Sequence, residues 1–503
     1  MSTLRDFVVI QKLTVHTILV ETKRVRAIYT ATLRNGRRSD FEFIFAYDRA
    51  LFDANRAEDI NLASMMLVQP ALNYGLFCEN IEFDGLFDTT DQRFILDMME
   101  NTSREIVTNK LLIENEFIKA DFAGPEIAKQ RRYTQAQVHF HNSNFAEKKL
   151  KRTQTVTYKD KYAILSSGGK DSLLTYGLVR EFGDPYPVFI NEAGRHWFTA
   201  VNAHRYFSQH EKNTYKPWTN CDRLFNWMLK QLPFIRENYA SIRADIYPVR
   251  LWTVAVFLFG VLPIARHLRL GNILIGNEYD TTVRGVSNGI THYNGLFDQS
   301  KHFDNAMTRY YRRKGWHIYQ YSMLRSLSEL LIMKILLRRY PELQRHQVSC
   351  HAAHAVDERM YPCGKCEKCR RIIGMVKALG ADPGNCGYNA AQIADGLKAL
   401  ASKSVKQIGS DAAHLYHLLL NKGLVESNAF TRNVARNHPE ILKLRFDRER
   451  SVLADLPGYV RKPLFDILQQ YADGAVKRTQ RRCRPVAITN QFLHESEYVN
   501  HER

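Results

Sequence analysis

Along the first fifty residues, apolar and polar positions alternate in short runs. Thr17–Thr22, Val25–Leu33 and Asp40–Tyr47 are rich in β-branched and aromatic residues, and Asn35–Gly36 supplies a turn between the last two. A hairpin or small sheet is predicted there. The apolar spacing then becomes helical over Asp59–Phe77 and Thr89–Asn115, with Pro70 expected to kink or end the first helix. Residues 128–154 are polar and basic and read as a linker or exposed loop.

From Tyr162 the texture changes. Short apolar runs (Tyr162–Ser167, Tyr186–Asn191, Asn272–Glu278) alternate with helical stretches (Asp171–Phe182, Cys221–Leu232, Val249–Leu270, Ser322–Pro341). Apolar strands separated by helices predict a parallel sheet in an α/β domain. The division expected is an α+β region over 1–150, an α/β core over 155–349, a cysteine-bearing helical region over 350–425, and a basic helical tail over 430–503.

Composition sharpens this picture. The 503 residues carry 71 Lys plus Arg against 52 Asp plus Glu, a net charge of +19, which suits a polyanionic substrate or partner. Eight cysteines are too few for a disulfide scaffold. The most apolar stretch, Leu251–Ala265, is shorter than the roughly twenty residues that span a bilayer and contains Gly260 and Pro263. With no secretory signal in view, a cytoplasmic protein without membrane contact is expected.

Two motifs carry chemistry. Ser167-Gly168-Gly169-Lys170-Asp171-Ser172 lies between a predicted strand and a predicted helix. Two glycines let the backbone turn its N–H groups toward a ligand, and the helix N-terminus adds its dipole. Ser167 and Ser172 add hydroxyls and Lys170 a cation, so the segment reads as an anion cradle for a pyrophosphate. It lacks the spacing of the ordinary nucleotide P-loop. Cys363, Cys366 and Cys369, with Cys350 upstream, form the second motif. Four thiolates suffice for tetrahedral Zn²⁺, and Gly364 suits the turn of a metal knuckle. Short C-x-x-C spacing also serves [4Fe–4S] clusters; the distant fourth cysteine and the absence of proline after Cys369 favour zinc.

Weaker candidates follow the strand at Ile273–Gly276. Asn277, Glu278 and Asp280 lie where an open parallel sheet faces its ligand crevice, and the carboxylates suit Mg²⁺ or a substrate amine. Arg284, His292 and Lys301 follow in a Gly- and Asn-rich loop that would bring cations to a leaving pyrophosphate. Arg325 and Glu329 share one helix face and suit a mutual ion pair. Arg195–Trp197 follow a strand and are candidates for contact with adenine or substrate.

The first motif resembles the PP-loop of the N-type ATP pyrophosphatase superfamily. That resemblance implies ATP at the strand ends, Mg²⁺ bridging its phosphates with Asp171 as a helper, and cleavage to AMP and pyrophosphate. Together with Cys350 and the cysteine triplet, the chain looks like the zinc-containing 7-cyano-7-deazaguanine synthase branch over residues 160–380. Relatives of that branch occur in antiphage defence operons, and the resemblance implies a deazaguanine amide, nitrile or protein conjugate as product. The order of segments is also similar to UDP-N-acetylmuramoyl-L-alanyl-L-glutamate epimerase, which activates a peptide carboxylate. Both families make an acyl-adenylate. A PP-loop tRNA-modifying enzyme and a non-enzymatic nucleotide-binding module are the rival readings. A small-molecule carboxylate, tRNA, and a protein docked through the N-terminal region or basic tail are the partners these readings imply.

Overall fold

A computed structural model describes residues 3–150, 154–242, 247–350, 352–479 and 482–494. Strands β1 (Ile10–Glu21), β2 (Arg24–Leu33), β3 (Arg38–Ala46), β4 (Cys78–Asp84) and β5 (Gln137–His141) come from the first 150 residues. Strands β6 (Tyr158–Leu165), β7 (Asp184–Val188), β8 (Trp218–Thr219) and β9 (Leu270–Leu274) follow. A hairpin, β10 (Arg284–Ser287) with β11 (Ile290–Tyr293), precedes β12 (Tyr319–Tyr321). One sheet runs β5-β4-β1-β2-β3-β8, and a second runs β12-β9-β6-β7. All pairings in the second sheet are parallel. The protein is therefore mixed α/β with a parallel-strand sheet.

The alternation read from Val25–Leu33 appears as alternating burial along β2, and Gly36 takes φ +82° in the turn before β3. The helix Ala57–Val68 ends where Pro70 enters a 3₁₀ turn, as proline requires. The apolar stretch near 251–265 becomes the helix Thr253–His267, ten of whose residues are buried. No helix among the described residues is long and apolar enough to cross a membrane.

Residue 150 is not a packing boundary. One hydrophobic core joins Phe7, Val15, Phe43 and Phe83 to Phe225, Phe259 and Phe303. Tyr47 donates to Gly260 O (2.8 Å), Asn73 Nδ2 to Val249 O (3.1 Å), and Trp252 Nε1 to Gln69 Oε1 (3.2 Å). The two sheets are also stitched together. Residues 215–219 pair with the end of β7 through Phe189 N to Tyr215 O and Asn191 N to Pro217 O (both 2.9 Å), and Trp218 and Thr219 pair with β3.

Two expectations are corrected. The stretch read as a linker contains β5 and the helix Ser143–Lys149. Val138 and Phe140 face the core while their polar neighbours face solvent, so an edge strand reads as a polar loop. Residues 151–153 of that stretch lie outside the described residues. The tail read as helical holds three strands, β15 (Leu444–Asp447), β16 (Ala475–Thr479) and β17 (Arg482–Pro485), after a short hairpin of β13 (His354–Val356) and β14 (Arg359–Tyr361). Strands of four or five residues are too short to show a period. The tail also carries the helix Gly458–Leu468, which buries Val460, Leu464 and Leu468 in a second core with Leu173, Tyr176 and Ile335.

Candidate functional site

The loop Ser166–Gly169 leaves the C-terminal end of β6 and enters the helix Lys170–Val179. Gly168 has φ +72°, and a Cβ there would lie 2.5 Å from Thr199 O, so only glycine fits. Thr199 Oγ1 donates to Ser167 O (3.1 Å), which fixes the loop against the helix Arg195–His210. Gly169 is the N-cap, and no side chain caps the first turn. Its N–H groups, with the positive end of the helix dipole, are therefore available to an anion. Ser172 Oγ donates to Gly169 O (3.1 Å) and accepts from Ser166 Oγ (3.3 Å).

Lys170 is 5% exposed, and its ammonium meets three carboxylates: Asp171 Oδ1 (2.7 Å), Glu278 Oε2 (3.3 Å) and Glu329 Oε1 (3.3 Å). Burial disfavours its charged form, and the three carboxylates outweigh burial, so its pKa is raised. Glu278 is raised well above the ordinary carboxylate range by burial, with repulsion from Asp171 and Asp280 working against Lys170. Asp280 is pushed up to about 6 by burial and by Glu329 and Asp411. Glu329 is held low: burial is outweighed by Lys170, by Arg371 (3.6 Å) and by the Gln407 amide (2.6 Å). Asp280 Oδ1 and Asn277 Nδ2 are buried without a hydrogen-bond partner.

These side chains converge because three strand ends lie side by side. A Cβ on Gly276, just past β9, would lie 2.7 Å from Asp171 Cβ, so this glycine lets the Asn277–Asp280 loop meet the helix Lys170–Val179. Ser322, just past β12, accepts from Asn277 N (3.1 Å) and donates to Asn277 O (2.6 Å). Ser328 caps the helix Glu329–Arg339, whose first residue reaches Lys170.

The other candidates have partners of their own. Arg284 is exposed on the β10–β11 hairpin and donates to His302 Nε2 (3.3 Å). His292, on the same hairpin, lies 3.4 Å from Ser287 Oγ. Lys301 is buried against Asp455 (3.4 Å) and Arg448 O (3.4 Å) of the C-terminal segment. Arg325 pairs with Asp304 and not with Glu329. The Arg195–Trp197 segment opens the helix that braces the phosphate loop.

Cys350, Cys363, Cys366 and Cys369 come together, with their sulfurs all within 4.8 Å of one another. Three of the separations are 3.8, 3.8 and 3.5 Å. A tetrahedron of Zn–S bonds near 2.3 Å has an S···S edge of about 3.8 Å. The cluster is thus the right size for one ion and compatible with zinc. A four-iron cube, whose thiolates sit on separate irons, would hold the sulfurs farther apart. Backbone N–H groups of Cys363 and Lys365 donate to Cys350 Sγ (3.4 Å) and Cys363 Sγ (3.5 Å). Gly364 takes φ +74° at the turn, where a Cβ would lie 2.5 Å from the Gln392 side chain.

The two motifs, nearly two hundred residues apart in sequence, are neighbours. Val348 N donates to Gly168 O (3.4 Å), two residues before Cys350. Arg371, two residues after Cys369, reaches Glu329. No known family model matches this chain, and no curated protein matches it.

Proposed function

We propose that the protein is an adenylate-forming enzyme built on a PP-loop core, cleaving ATP to AMP and pyrophosphate to activate a carboxylate. The observation that carries this reading is the uncapped helix N-terminus after Gly168–Gly169, at the end of a central parallel strand. The first-turn N–H groups and Ser167 would hold the phosphates. A substrate carboxylate oxygen attacks the α-phosphorus, the bond to the bridging oxygen breaks, and pyrophosphate leaves with its electron pair.

Lys170 acts here as a positioning residue. It keeps Asp171, Glu278 and Glu329 together in a half-buried wall. Mg²⁺ commonly takes one or two carboxylates plus phosphate oxygens and water. Asp280, with its orphaned Oδ1, fits that demand; Asp171 and Glu278 are engaged by Lys170. Bound there, the ion would neutralise phosphate charge. Zn²⁺ on the four cysteines leaves no open position, so its part is structural: it would fix Val348 and Arg371 against the loop and Glu329.

The first substrate to try is 7-carboxy-7-deazaguanine, with Mg²⁺ and ATP, reading products by mass spectrometry. AMP, pyrophosphate and an adenylated, amidated or nitrile base, all lost in a Lys170→Ala/Asp171→Ala variant, are expected. Release of ADP and phosphate would contradict the reading.

A further inference from the structure

On another part of the molecule the Asn35–Gly36 turn borders a cavity of about 600 Å³, within the range of small-ligand pockets. It shares no residue with the phosphate loop, the carboxylate wall or the cysteines. Its floor is apolar: Val9, Leu33, Leu229, Leu232 and Ile235. Its rim is cationic, with Arg37, Lys119, Lys230 and Arg236, and Glu237 is the one acid among the lining residues.

The rim is built as well as charged. Arg37 donates to Lys230 O (3.3 Å) and Gln231 Oε1 (3.4 Å), and Arg236 Nε donates to Ile118 O (3.2 Å). Those acceptors are neutral, so they orient the guanidinium groups without cancelling their charge. A short antiparallel ladder holds the backbone beneath: Lys119 N to Phe234 O and Arg236 N to Phe117 O, both 2.9 Å. Among the described residues, the ammonium groups of Lys119 and Lys230 have no hydrogen bond or ion pair. Arg34, also at the rim, is already paired with Glu79 (2.7 Å).

An apolar floor under uncompensated cations, of which Arg37 and Arg236 are pre-oriented, is complementary to one kind of molecule. We propose that this cavity binds an amphiphilic anion. Its apolar body lies on the floor, and its carboxylate, sulfonate or phosphate head meets Arg37, Lys119, Lys230 and Arg236. The desolvated floor supplies the binding energy, and the rim selects charge.

The test uses the full chain with two probes, dodecanoate followed by calorimetry and anilinonaphthalene sulfonate followed by fluorescence. One saturating equivalent per chain is expected for each, with mutual competition. An Arg37→Glu/Lys230→Glu variant should weaken both at least tenfold while its thermal unfolding stays at the wild-type temperature. Dodecanol, the neutral counterpart, should bind at least tenfold more weakly than dodecanoate. Absence of saturable binding by both probes, equal binding of dodecanol, or unchanged affinity in the variant would overturn the proposal. So would a Glu- and Leu-rich peptide that binds the wild-type rim where neither small anion does, because the occupant would then be a protein partner. ATP turnover in the variant is expected to be unchanged, so this proposal and the enzymatic reading fail independently.

Discussion

The carboxylate cluster and the cysteine cluster lie side by side and are partnered in opposite ways. Asp171, Glu278 and Glu329 carry their own cations, because Lys170 and Arg371 are within the same wall. The four cysteines have each other, backbone N–H groups and the Tyr388 hydroxyl as partners. Four sulfurs grouped this closely are placed to share one cation from outside the chain. One cluster therefore carries its own cations, and the other has the geometry of a site for a metal ion. The difference predicts which cluster responds to a chelator and which to a single substitution.

The largest effect is expected from breaking the cysteine side. Structural zinc contributes apparent free energies of about 10–16 kcal/mol in small zinc domains. A Cys366→Ser variant, or strong chelation, should release one zinc per chain and unfold the helices Glu367–Ala378 and Ala390–Leu400. Metal analysis with hydrogen exchange reads both. Chelation that leaves exchange in these helices unchanged would mean the cluster folds without metal.

Breaking the other side should cost less. Lys170→Ala leaves buried Glu329 and half-buried Asp171 and Glu278 without their shared partner, a loss of at most about 3–5 kcal/mol. Denaturant unfolding measures it, and zinc content should stay at one per chain. If Lys170→Ala loses zinc as well, the two clusters are not separable units.

Gly168→Ala tests the loop between them. The φ of +72° and the 2.5 Å approach to Thr199 O leave no room for a methyl group. A loss of about 1–3 kcal/mol is expected, with ATP affinity falling more than stability alone explains.

A third buried acid sharpens the comparison, because it has neither metal nor lysine. Asp298 is held by backbone N–H donors, including Val254 N (3.1 Å), and burial pushes its pKa up to about 7. The folded state therefore keeps a proton that the unfolded state has lost. Stability should fall as pH rises from the ordinary carboxylate range toward about 7 and then level off. Asp298→Asn should flatten that fall, by up to about 1.4 kcal/mol per pH unit, in urea melts between pH 4 and 8. An unchanged slope would show that Asp298 titrates normally.

Much of this site was legible in the sequence where a motif is contiguous. Gly168–Gly169, the helix after them and the cysteine spacing each constrain a few adjacent residues, so local chemistry reveals them. Glu278 and Asp280 were legible as residues at a strand end. Glu329 was read as a partner of Arg325, because helix spacing shows only neighbours on one helix. Its true partner, Lys170, arrives from another strand end across the sheet. Gly276 left a trace, a glycine at a strand end before two acids, whose meaning needs the approach of Asp171. Arg284 and Lys301 are candidates because a polar loop follows the site in sequence; their partners, His302 and Asp455, come from residues that sequence spacing does not reveal. The shared core across residue 150 was invisible for the same reason: β3 meets Trp218 and Thr219 only in space.

The most direct test of the central claim is carboxylate-dependent exchange of labelled pyrophosphate into ATP. Reversible adenylation returns pyrophosphate to ATP only when an acyl-adenylate forms. With Mg²⁺ and 7-carboxy-7-deazaguanine, exchange is expected in the wild type and absent in Gly168→Ala. ATP consumed to ADP and phosphate, with no exchange, would contradict cleavage at the α-phosphorus and with it the functional account.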